Sequence, residues 1–335
     1  MIEKITVFIL TYNRPVYLEQ CLTSLRGQSY KNFKTVVLDN CSDQSLEYVI
    51  SEFSDLNIEY IKHKSNLGST GNFTYAWKHV KTTDYFVVFH DDDQMHSKFL
   101  ELELGLLESN SDLKWVASSL VPFRDTPPTY PLITEVKTTI MNGAELALKI
   151  IHNLKFAFSS VMYRSNTIKL LDLEMMIKSY SIILDRPILL ELVMEGKCAM
   201  IHEPLILYRC HDEQDSLNGP ISEDNLQNVF VAFKKSLASN WTPKIEKTFY
   251  SWTGFQLVDG HKRLGKSKKS AFNVYLKKAK AKGIYKDRFY YYYVCGYVKT
   301  TIQYFFQALK LFFTNPRRFF MKISHRMLFI RKIKN

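Results

Sequence analysis

Short apolar runs of strand length alternate with helical periodicity over the first 100 residues of the chain. Residues 5–11, 33–38 and 85–89 are rich in β-branched and aromatic side chains, and they lack the polar alternation of a strand with one solvent-facing side. Residues 58–61 form a further, shorter candidate strand. Apolar positions three and four apart, as at residues 18–25, indicate helices between the strands. This alternation through short turns predicts a parallel sheet with helices on both faces.

The alternation of helices and strands continues to about residue 216. The elements predicted there are a helix over 97–108, a strand over 115–120, an irregular proline-containing loop over 124–134, a helix over 142–151, a strand over 156–163, a helix over 185–196, and a strand pair over 198–209 broken at Pro204. Earlier, Ser42 or Asp43 is placed to cap the helix that carries Leu46 and Phe53. From about residue 221 helical patterns dominate. We therefore predict an α/β domain over residues 1–216, with halves at about 1–96 and 97–216, and a helical region over 217–335.

Positive charge is concentrated at the end of the chain. The formal net charge is +12, but residues 261–335 hold 20 Lys and Arg against one acid, Asp287, a net charge of +19. The first 260 residues hold the other 25 Lys and Arg with 32 Asp and Glu, a net charge of −7. A mildly acidic domain is therefore joined to a basic segment that is also rich in Tyr and Phe.

Three consecutive carboxylates, Asp91, Asp92 and Asp93, follow the apolar strand at residues 85–89. A parallel sheet carries its chemistry beyond the carboxyl ends of its strands, and adjacent buried carboxylates repel one another unless a cation lies between them. Oxygen ligands suit a hard divalent ion, which commonly takes further ligands from substrate phosphates. The sequence therefore predicts a Mn²⁺ or Mg²⁺ site here, although a solvated acidic turn would have the same composition.

Polar turns follow the other predicted strands at the same edge of the sheet. They lie at residues 11–14, 39–43 and 66–72, and their carboxylate and amide groups could bind the base and ribose of a nucleotide. The turn Gly68-Ser69-Thr70-Gly71 matches neither the P-loop nor the spaced glycine motif of dinucleotide-binding folds. By itself it is a turn and a helix start.

In combination these motifs resemble the family 2 glycosyltransferases, which are inverting enzymes with the GT-A fold. The resemblance covers about residues 4–216 and is carried by Thr11-Tyr12-Asn13-Arg14, Asp39-Asn40-Cys41-Ser42, Asn66-Leu67-Gly68 and the acidic cluster. It implies a nucleotide-sugar half and an acceptor half in one mostly parallel α/β domain. One departure is Asn72-Phe73, where many members have Arg-Asn, so pyrophosphate contacts there are in doubt.

The resemblance also assigns roles to individual residues. The implied nucleotide-binding residues are Thr11, Tyr12, Asn13, Arg14, Asp39, Asn40, Asn66, Gly68, Asp91 and Asp92. Among them, Asp39 would bind the base and Asp91 would contact the ribose side. Asp93 would bind the metal.

Two later residues would complete the chemistry. An inverting transfer needs a carboxylate that takes the proton of the acceptor hydroxyl, and the resemblance places this base at Asp185, where many relatives have Glu-Asp and this chain has Leu184-Asp185. The structural alternative is that Asp185 is a helix N-cap before Pro187. His211 matches a family position that approaches the metal or diphosphate, although a single histidine is often only structural.

The remaining sequence features bear on compartment and location. Five cysteines lack paired or metal-ligand spacing, which favours free thiols in a reducing compartment. The first residues lead directly into a strand rather than a signal peptide, and no uncharged apolar run approaches the ~20 residues of a membrane span. Aromatic residues interleaved with cations after residue 285 favour a helix in a membrane interface, with packing on the catalytic domain as the alternative. We expect a cytoplasmic protein, peripheral at the inner face of the plasma membrane.

The sequence therefore predicts a metal-dependent glycosyltransferase of surface-polysaccharide synthesis. It would transfer sugar from a nucleoside-diphosphate donor, with UDP expected, to a saccharide or polyprenyl-linked acceptor in a single displacement. A sugar nucleotidyltransferase of related fold is an alternative, but residues 11–15 lack the glycine-rich phosphate loop of such enzymes. A non-catalytic membrane-docked scaffold is another alternative. Nucleic-acid binding is disfavoured, because nothing matches a known binding module and the catalytic half is acidic. Oligomeric state is left open.

Overall fold

The computed structural model contains a sheet flanked by helices. It describes residues 3–249, with gaps at 81–82, 153, 155, 212–222 and 247. The strands in this part of the chain are β1 (Ile5–Thr11), β2 (Phe33–Asp39), β3 (Ile58–Lys62), β4 (Tyr85–His90), β5 (Gln94–Met95), β6 (Leu113–Phe123), β7 (Thr138–Asn142), β8 (Val161–Arg164) and β9 (Lys197–Arg209). The helices are α1 (Pro15–Arg26), α2 (Glu47–Ser51), α3 (Gly68–Lys78), α4 (Phe99–Ser109), α5 (Gly143–Ile151), α6 (Leu173–Tyr180), α7 (Asp185–Leu192) and α8 (Glu223–Leu237). The basic segment (residues 261–335), including Cys295, lies outside the described residues.

The nine described strands form one mixed sheet with the order β3-β2-β1-β4-β8-β6-β9-β5, and β7 pairs with β9. The pairs β1–β2, β1–β4 and β2–β3 are all parallel, as the helix-strand alternation predicts. In their register Thr11 pairs with Asp39 and Leu10 pairs with His90. The polar turns after β1, β2 and β4 therefore lie at one edge of the sheet.

The second half of the sheet is mixed, which agrees with the mostly parallel α/β domain that the family resemblance implies. Strand β8 lies between β4 and β6 and is antiparallel to both, whereas β6 and β9 are parallel. Residues 198–209 belong to one long strand rather than a strand pair, because the irregularity at Pro204 is absorbed as a shift in the pairing with β6. Of the predicted strand at residues 156–163, only the end is extended, since Phe158–Ser160 is a 3₁₀ turn.

Both faces of the sheet are covered. On one face, apolar side chains of β1, β2 and β4 pack in a common core with α1, α2 and α4. On the other face the Trp77 ring of α3 packs edge-on against Phe86 of β4 and Tyr163 of β8, with ring centroids 5.0 and 4.9 Å away. Edge-to-face contacts of this kind add to the stabilisation from burial alone. The polar turns are therefore backed by a sheet that is packed on both faces.

Local sequence explains several helix ends. Pro15 lies in the first turn of α1 and Gly27 follows its last residue, as expected for a proline start and a glycine stop. Helix α5 begins with a capping box, in which Asn142 accepts from the Glu145 N–H and the Glu145 side chain accepts from the Asn142 N–H. The predicted cap of α2 is wrong: Leu46 precedes the helix with no side-chain cap.

The chain divides into two compact units, Met1–Trp241 and Thr242–Asn335. In the first unit α8 packs against α5, α6 and α7. The predicted domain division at residue 216 falls in the gap at 212–222 and stays a prediction. Among the described helices, none combines the length and the apolar character that crossing a bilayer requires. The four described cysteines (Cys21, Cys41, Cys198 and Cys210) are free thiols, as predicted.

Candidate active site

The three acids that follow β4 are buried at the polar edge of the sheet. Asp91, Asp92 and Asp93 are 2%, 7% and 1% exposed. Buried carboxylates repel one another and lose the solvation of water, so each must be neutralised or hydrogen-bonded. The solvated acidic turn is therefore not what the structure contains.

Asp91 is held by the residues that follow β1. Its Oδ2 accepts a hydrogen bond from Thr11 Oγ1 at 2.8 Å, and its Oδ1 lies 3.4 Å from the Nη1 of Arg14. Burial and the neighbouring charge of Asp92 raise the pKa of Asp91 to about 7, although Arg14 and Thr11 act in the opposite direction. Thr11 and Arg14 thus reach the acidic cluster directly.

Asp93 is enclosed by two residues from distant parts of the chain. Its Oδ2 accepts from Ser159 Oγ at 2.7 Å and its Oδ1 accepts from the Arg209 N–H at 3.0 Å. Burial and the charge of Asp92 raise the pKa of Asp93 well above its ordinary value, despite these hydrogen bonds. A carboxylate has about four lone-pair sites, so both oxygens of Asp93 retain capacity for a cation.

The Asp92 carboxylate lies between the His211 imidazole and the Arg14 guanidinium. Its Oδ2 is 2.9 Å from His211 Nε2 and 3.6 Å from Arg14 Nη1. Burial acts to raise the pKa of Asp92, but the His211 hydrogen bond and the charges of His90 and Arg14 outweigh it, and the pKa is lowered. His211 therefore joins the cluster through Asp92, and its role near a metal or diphosphate stays a prediction.

One group in this cluster has the composition of a divalent-cation site. Among the described residues, potential ligand atoms of His90, Asp92 and Asp93 all lie within 4.8 Å of one another. Two carboxylates and an imidazole suit Mn²⁺ well and Mg²⁺ less well. Burial and the charge of Asp92 raise the pKa of Asp91 and Asp93, and a cation would favour the ionised form of both groups, so the residues present fit such an ion.

The turns after β1 and β2 are bound to each other. The Asn13 N–H donates to Ser42 Oγ at 2.8 Å, and the Asn13 side chain exchanges two hydrogen bonds with Asp43, at 2.9 and 2.8 Å. Ser42 and Asp43 are engaged in this clamp, and neither stands at the N-cap position of α2, because that helix begins only at Glu47. Asn13 adopts a left-handed conformation with φ of 54°. Tyr12 beside it is 40% exposed and leaves an aromatic ring available to a base.

Asp39 is fully buried and both its oxygens have partners. Oδ1 accepts from the Ser42 N–H at 2.8 Å and Oδ2 accepts from the Tyr60 hydroxyl at 2.6 Å. Burial, together with this hydrogen bond to a carboxylate, raises the pKa of Tyr60. A base bound to Asp39 would have to use a second lone pair of one oxygen or replace one of these donors.

Asn40, Asn66 and Gly68 form one connected turn. Asn40 Nδ2 donates to Asn66 Oδ1 at 3.0 Å and to the Gly68 carbonyl at 3.2 Å, and its Oδ1 accepts from the Leu67 N–H at 2.8 Å. Gly68 begins α3 with φ of 71°. These residues shape the edge of the site through the backbone.

The atypical Asn72 has a structural role in this chain. Its Nδ2 donates to the Leu38 carbonyl at 3.1 Å, and its Oδ1 lies 3.0 Å from Nε2 of His63. Asn72 is 3% exposed. It ties α3 to the end of β2, so the doubt about pyrophosphate contacts at this position stands.

Asp185 is the first residue of α7, and its side chain is 40% exposed. The residue that precedes the helix is Leu184, and no side-chain cap is present there, so the N-cap alternative for Asp185 is wrong. Its Oδ2 is 3.6 Å from Nε of Arg186. Arg186 is fixed by a hydrogen bond to the Phe156 carbonyl at 3.0 Å, and its guanidinium carbon lies 4.2 Å from the centre of the Phe156 ring. The carboxylate is thus accessible and held beside a fixed guanidinium.

A sequence profile described as Glycosyl transferase family 2 matches residues 6–171. The chain belongs to glycosyl transferase family 2. The matched region begins in β1 and includes the acidic cluster and Ser159. The mixed sheet with helices on both faces is the GT-A fold of this family, as the sequence motifs predict.

Relatives of this family 2 chain include two bacterial enzymes that are named for sugar transfer. The Poly(ribitol-phosphate) beta-N-acetylglucosaminyltransferase TarS of Staphylococcus aureus is 28% identical over 172 residues, which are 50% of this chain and 28% of TarS. The UDP-Glc:alpha-D-GlcNAc-diphosphoundecaprenol beta-1,3-glucosyltransferase WfgD of Escherichia coli is 23% identical over 108 residues, 32% of this chain and 42% of WfgD. The chain thus spans well under two thirds of either relative.

A solved structure shares the fold of this family 2 chain. The crystal structure of residues 1–349 of S. aureus TarS in complex with UDP-GlcNAc has a TM-score of 0.54 and 14% identity, covering 78% of this chain and 82% of the TarS fragment. At this identity the similarity concerns the fold.

Several residues of this family 2 site have no clear signal in the sequence. His90 stands directly before the acids and could have been noticed as the last residue of a strand that ends at the site. Arg209 lies two positions before His211, and the family resemblance assigns a role to the histidine alone. Ser159 and Tyr60 reach Asp93 and Asp39 only through the fold. The structure joins Thr11, Arg14, His211 and the three acids, and it places Asn13, Asp39, Asn40, Asn66 and Gly68 in the adjoining turns.

Proposed function

We propose that this protein is an inverting glycosyltransferase that uses a nucleoside-diphosphate sugar, with UDP as the nucleotide. The observation that carries the proposal is the buried acidic cluster at the carboxyl end of β4, joined to Thr11, Arg14 and His211 within a family 2 fold. Three buried acids reduce stability without a cation. Their arrangement at a nucleotide-binding edge is explained by a divalent ion and a diphosphate.

The donor would lie along the turns that follow β1, β2 and β3. The exposed ring of Tyr12 supports stacking on the base, and the linked turns of Asn13, Asn40 and Asn66 support contacts with base and ribose. Asp91, which lies 3.4 Å from Arg14, would face the ribose side in this arrangement. Asp39 would bind the base through a carboxylate lone pair that the hydrogen bonds from Tyr60 and Ser42 leave open.

The cation would be held by Asp93 with Asp92, and His90 or His211 would supply an imidazole. When bound, Mn²⁺ or Mg²⁺ supplies neutralisation of the negative charge that develops on the departing nucleoside diphosphate. The protein's contribution is to keep these ligands buried and prearranged: Ser159 and the Arg209 N–H hold Asp93, and His211 holds Asp92. Ligands fixed in advance need no reorganisation during the reaction.

Asp185 would act as the general base. It has no capping role, is 40% exposed, and lies beside Arg186, whose guanidinium is fixed by a hydrogen bond to the Phe156 carbonyl. Its Oδ would take the proton of the acceptor hydroxyl as that oxygen bonds to the anomeric carbon and the nucleoside diphosphate leaves. Holding donor and acceptor in line supplies much of the acceleration.

The relatives suggest the class of substrates. TarS is named for N-acetylglucosamine transfer to poly(ribitol phosphate), and WfgD for glucose transfer from UDP-Glc to a diphosphoundecaprenol-linked sugar. We propose a UDP-hexose or UDP-N-acetylhexosamine donor and a saccharide or lipid-linked saccharide acceptor of a bacterial surface polymer. The site would then face the cytoplasm, with the basic segment at the inner surface of the plasma membrane.

The decisive experiment compares donor binding with donor turnover. The full chain is titrated with UDP and with UDP-GlcNAc, UDP-Glc and UDP-Gal by calorimetry, with Mn²⁺ or EDTA, and donor cleavage is followed by UDP release. We expect Mn²⁺-dependent binding that is lost in Asp93→Ala, because this change removes the innermost oxygen ligand. Asp185→Asn should bind UDP within about twofold of wild type but lose at least about 100-fold in turnover, the lower range for general-base catalysis.

The control is Asp172→Asn, an acid that caps α6 and has no role in this proposal. It should keep both binding and turnover. Near-normal turnover in Asp185→Asn would remove Asp185 as the base, and metal-independent UDP binding would remove the cation. Formation of UDP-sugar from UTP and sugar phosphate would favour the nucleotidyltransferase alternative. Binding without turnover of any donor would favour the scaffold.

A further inference from the structure

Arg209, the last residue of β9, is a buried arginine at the edge of the acidic cluster. It is 4% exposed, and its guanidinium carbon lies 4.4 Å from the ring centre of Tyr17 and 4.5 Å from that of Phe123. The Nη2 group donates to Gln20 Oε1 at 2.5 Å. The side chain is thus fixed between α1 and β6, since cation–π contacts and a planar hydrogen bond both restrict its orientation.

The same residue holds the acidic turn at two points. Its backbone N–H donates to Asp93 Oδ1 at 3.0 Å, and its Nε–H donates to the Asp92 carbonyl at 2.9 Å. The second bond fixes the peptide group between Asp92 and Asp93. Two residues later, His211 Nε2 lies 2.9 Å from Asp92 Oδ2. The end of β9 therefore contacts the backbone and both carboxylates of this pair.

We propose that Arg209 is a positioning residue for the divalent cation: it holds the peptide between Asp92 and Asp93 so that the two carboxylates meet one ion. The inference rests on the proposed function, because it requires the cation to bind at this turn. Repulsion among the acids would otherwise open the turn. A lysine at this position keeps the charge but lacks the planar guanidinium. It therefore cannot reproduce the two hydrogen bonds that Arg209 donates, from Nε to the Asp92 carbonyl and from Nη2 to Gln20.

Arg164 provides a matched comparison in the same protein. Its guanidinium also bonds backbone carbonyls, those of Leu113 at 2.7 Å and Asn110 at 3.1 Å, and it lies 5.5 Å from the ring centre of Tyr85. Arg164 pairs with Tyr85 at the beginning of β4, whereas the acids follow the end of that strand. Loss of its fork should reduce stability without changing the cation site.

The test measures Mn²⁺ affinity directly by electron paramagnetic resonance on the full chain, without donor or acceptor. Arg209→Lys should weaken Mn²⁺ binding by about 10- to 100-fold, the usual effect of losing an outer-shell partner of metal ligands. Arg164→Lys should remain within twofold of wild type. In turnover assays Arg209→Lys should raise the Mn²⁺ concentration needed for half-maximal rate, with recovery of most of kcat at saturating Mn²⁺.

Thermal melts without metal separate folding from positioning. If Arg209→Lys fails to fold, Gln20→Ala replaces it, since this change frees one arm of the fork at a half-buried position; we expect at least threefold weaker Mn²⁺ binding. The proposal is overturned if Arg209→Lys folds and its Mn²⁺ affinity stays within twofold of wild type. The same result for Gln20→Ala, where that variant takes its place, also overturns it. Equal losses in Arg209→Lys and Arg164→Lys also overturn it, because they would indicate general destabilisation. Mn²⁺ binding that is unchanged in Asp93→Ala overturns the proposed cation site itself. This outcome distinguishes failure of the proposed function from failure of the role proposed for Arg209.

Discussion

Glu103 shows what burial does to a titratable group that the active site does not use. It is fully buried on the face of α4 that also buries Leu100, Leu104 and Leu107. Burial raises its pKa well above the ordinary value of 4.5. The folded protein therefore keeps a proton on Glu103 that the unfolded chain releases once the pH exceeds about 4.5.

The sign of the pH effect follows from this difference. Because the folded-state pKa is raised, the stability contributed by Glu103 is greatest below the unfolded pKa and falls as the pH rises towards the folded pKa. Glu103→Gln cannot ionise, so its stability relative to wild type should rise by up to about 1.4 kcal/mol per pH unit between pH 4.5 and the raised folded-state pKa. Urea unfolding at pH 5, 6, 7 and 8 measures this slope. Glu195→Gln, at an exposed position, should give a flat difference, and a flat difference for Glu103→Gln would contradict the prediction.

The residues of the site that the sequence predicts are those near strand ends. Asp91, Asp92 and Asp93 follow a recognisable buried strand, and Thr11 and Arg14 follow another, so parallel pairing alone brings them together. Ser159, Tyr60 and Arg209 come from positions that no local pattern connects to the acids. Their contacts depend on side-chain directions set by the packed sheet, which periodicity does not contain.

Gly68 and Gly105 show how one substitution can have opposite effects in two helices. Gly68 begins α3 with φ of +71°, and Gly105 lies in the exposed interior of α4; a Cβ at either position meets no atom within 4 Å. Space is therefore available at both, and backbone conformation decides the outcome. Gly68→Ala should cost about 1–2 kcal/mol, because an L-residue is strained in the left-handed region.

Gly105→Ala should instead stabilise the protein by about 0.5–1 kcal/mol, since alanine loses less conformational entropy inside a helix. Urea unfolding at one pH, with equal slopes required for both variants, measures the two changes. Stabilisation by Gly68→Ala would show that the turn leading into α3 does not need its left-handed residue. UDP affinity of Gly68→Ala then reports whether that turn also shapes the donor site.

Most of the helices and the first four strands could be predicted because their signals are local, whereas the sequence patterns predict neither α6 nor β7. The apolar runs of β1, β2 and β4 and the helical spacing of α1 are set by the residues within each element. The direction of β8 could not be predicted, because its pairing with both β4 and β6 is decided by the chain that surrounds it. Likewise, Pro204 indicates a break by local rules, but the long pairing of β9 with β6 accommodates it as an irregularity.

The whole chain is electrostatically divided. Residues 261–335 carry a net charge of +19 and the first 260 residues carry −7, so like charges accumulate in the segment that also contains most of the clustered aromatic residues. This basic segment lies outside the described residues, and its contact with a membrane is a prediction from the sequence. Cations beside aromatic residues bind anionic lipid surfaces, with roughly 1 kcal/mol for each Lys or Arg near the surface.

We expect the full chain to co-sediment with vesicles containing phosphatidylglycerol and not with pure phosphatidylcholine vesicles. The variant with Arg317, Arg318, Arg331 and Lys332 replaced by Gln should bind at least about tenfold more weakly, because four near-surface contributions are lost. Raising the salt to about 0.5 M should weaken wild-type binding by screening.

The matched control replaces four exposed lysines of the first unit, Lys149, Lys169, Lys178 and Lys234, by Gln. It has the same change in net charge, so it separates a local basic surface from the charge of the whole molecule. Binding of this control should stay within about twofold of wild type, because a Debye length of about 8 Å confines the attraction to cations close to the lipid. Equal losses in both variants would mean that net charge alone drives association. Unchanged binding in the variant of the basic segment would mean that its cations do not face the lipid, and the aromatic residues beside them would then be expected to pack against protein.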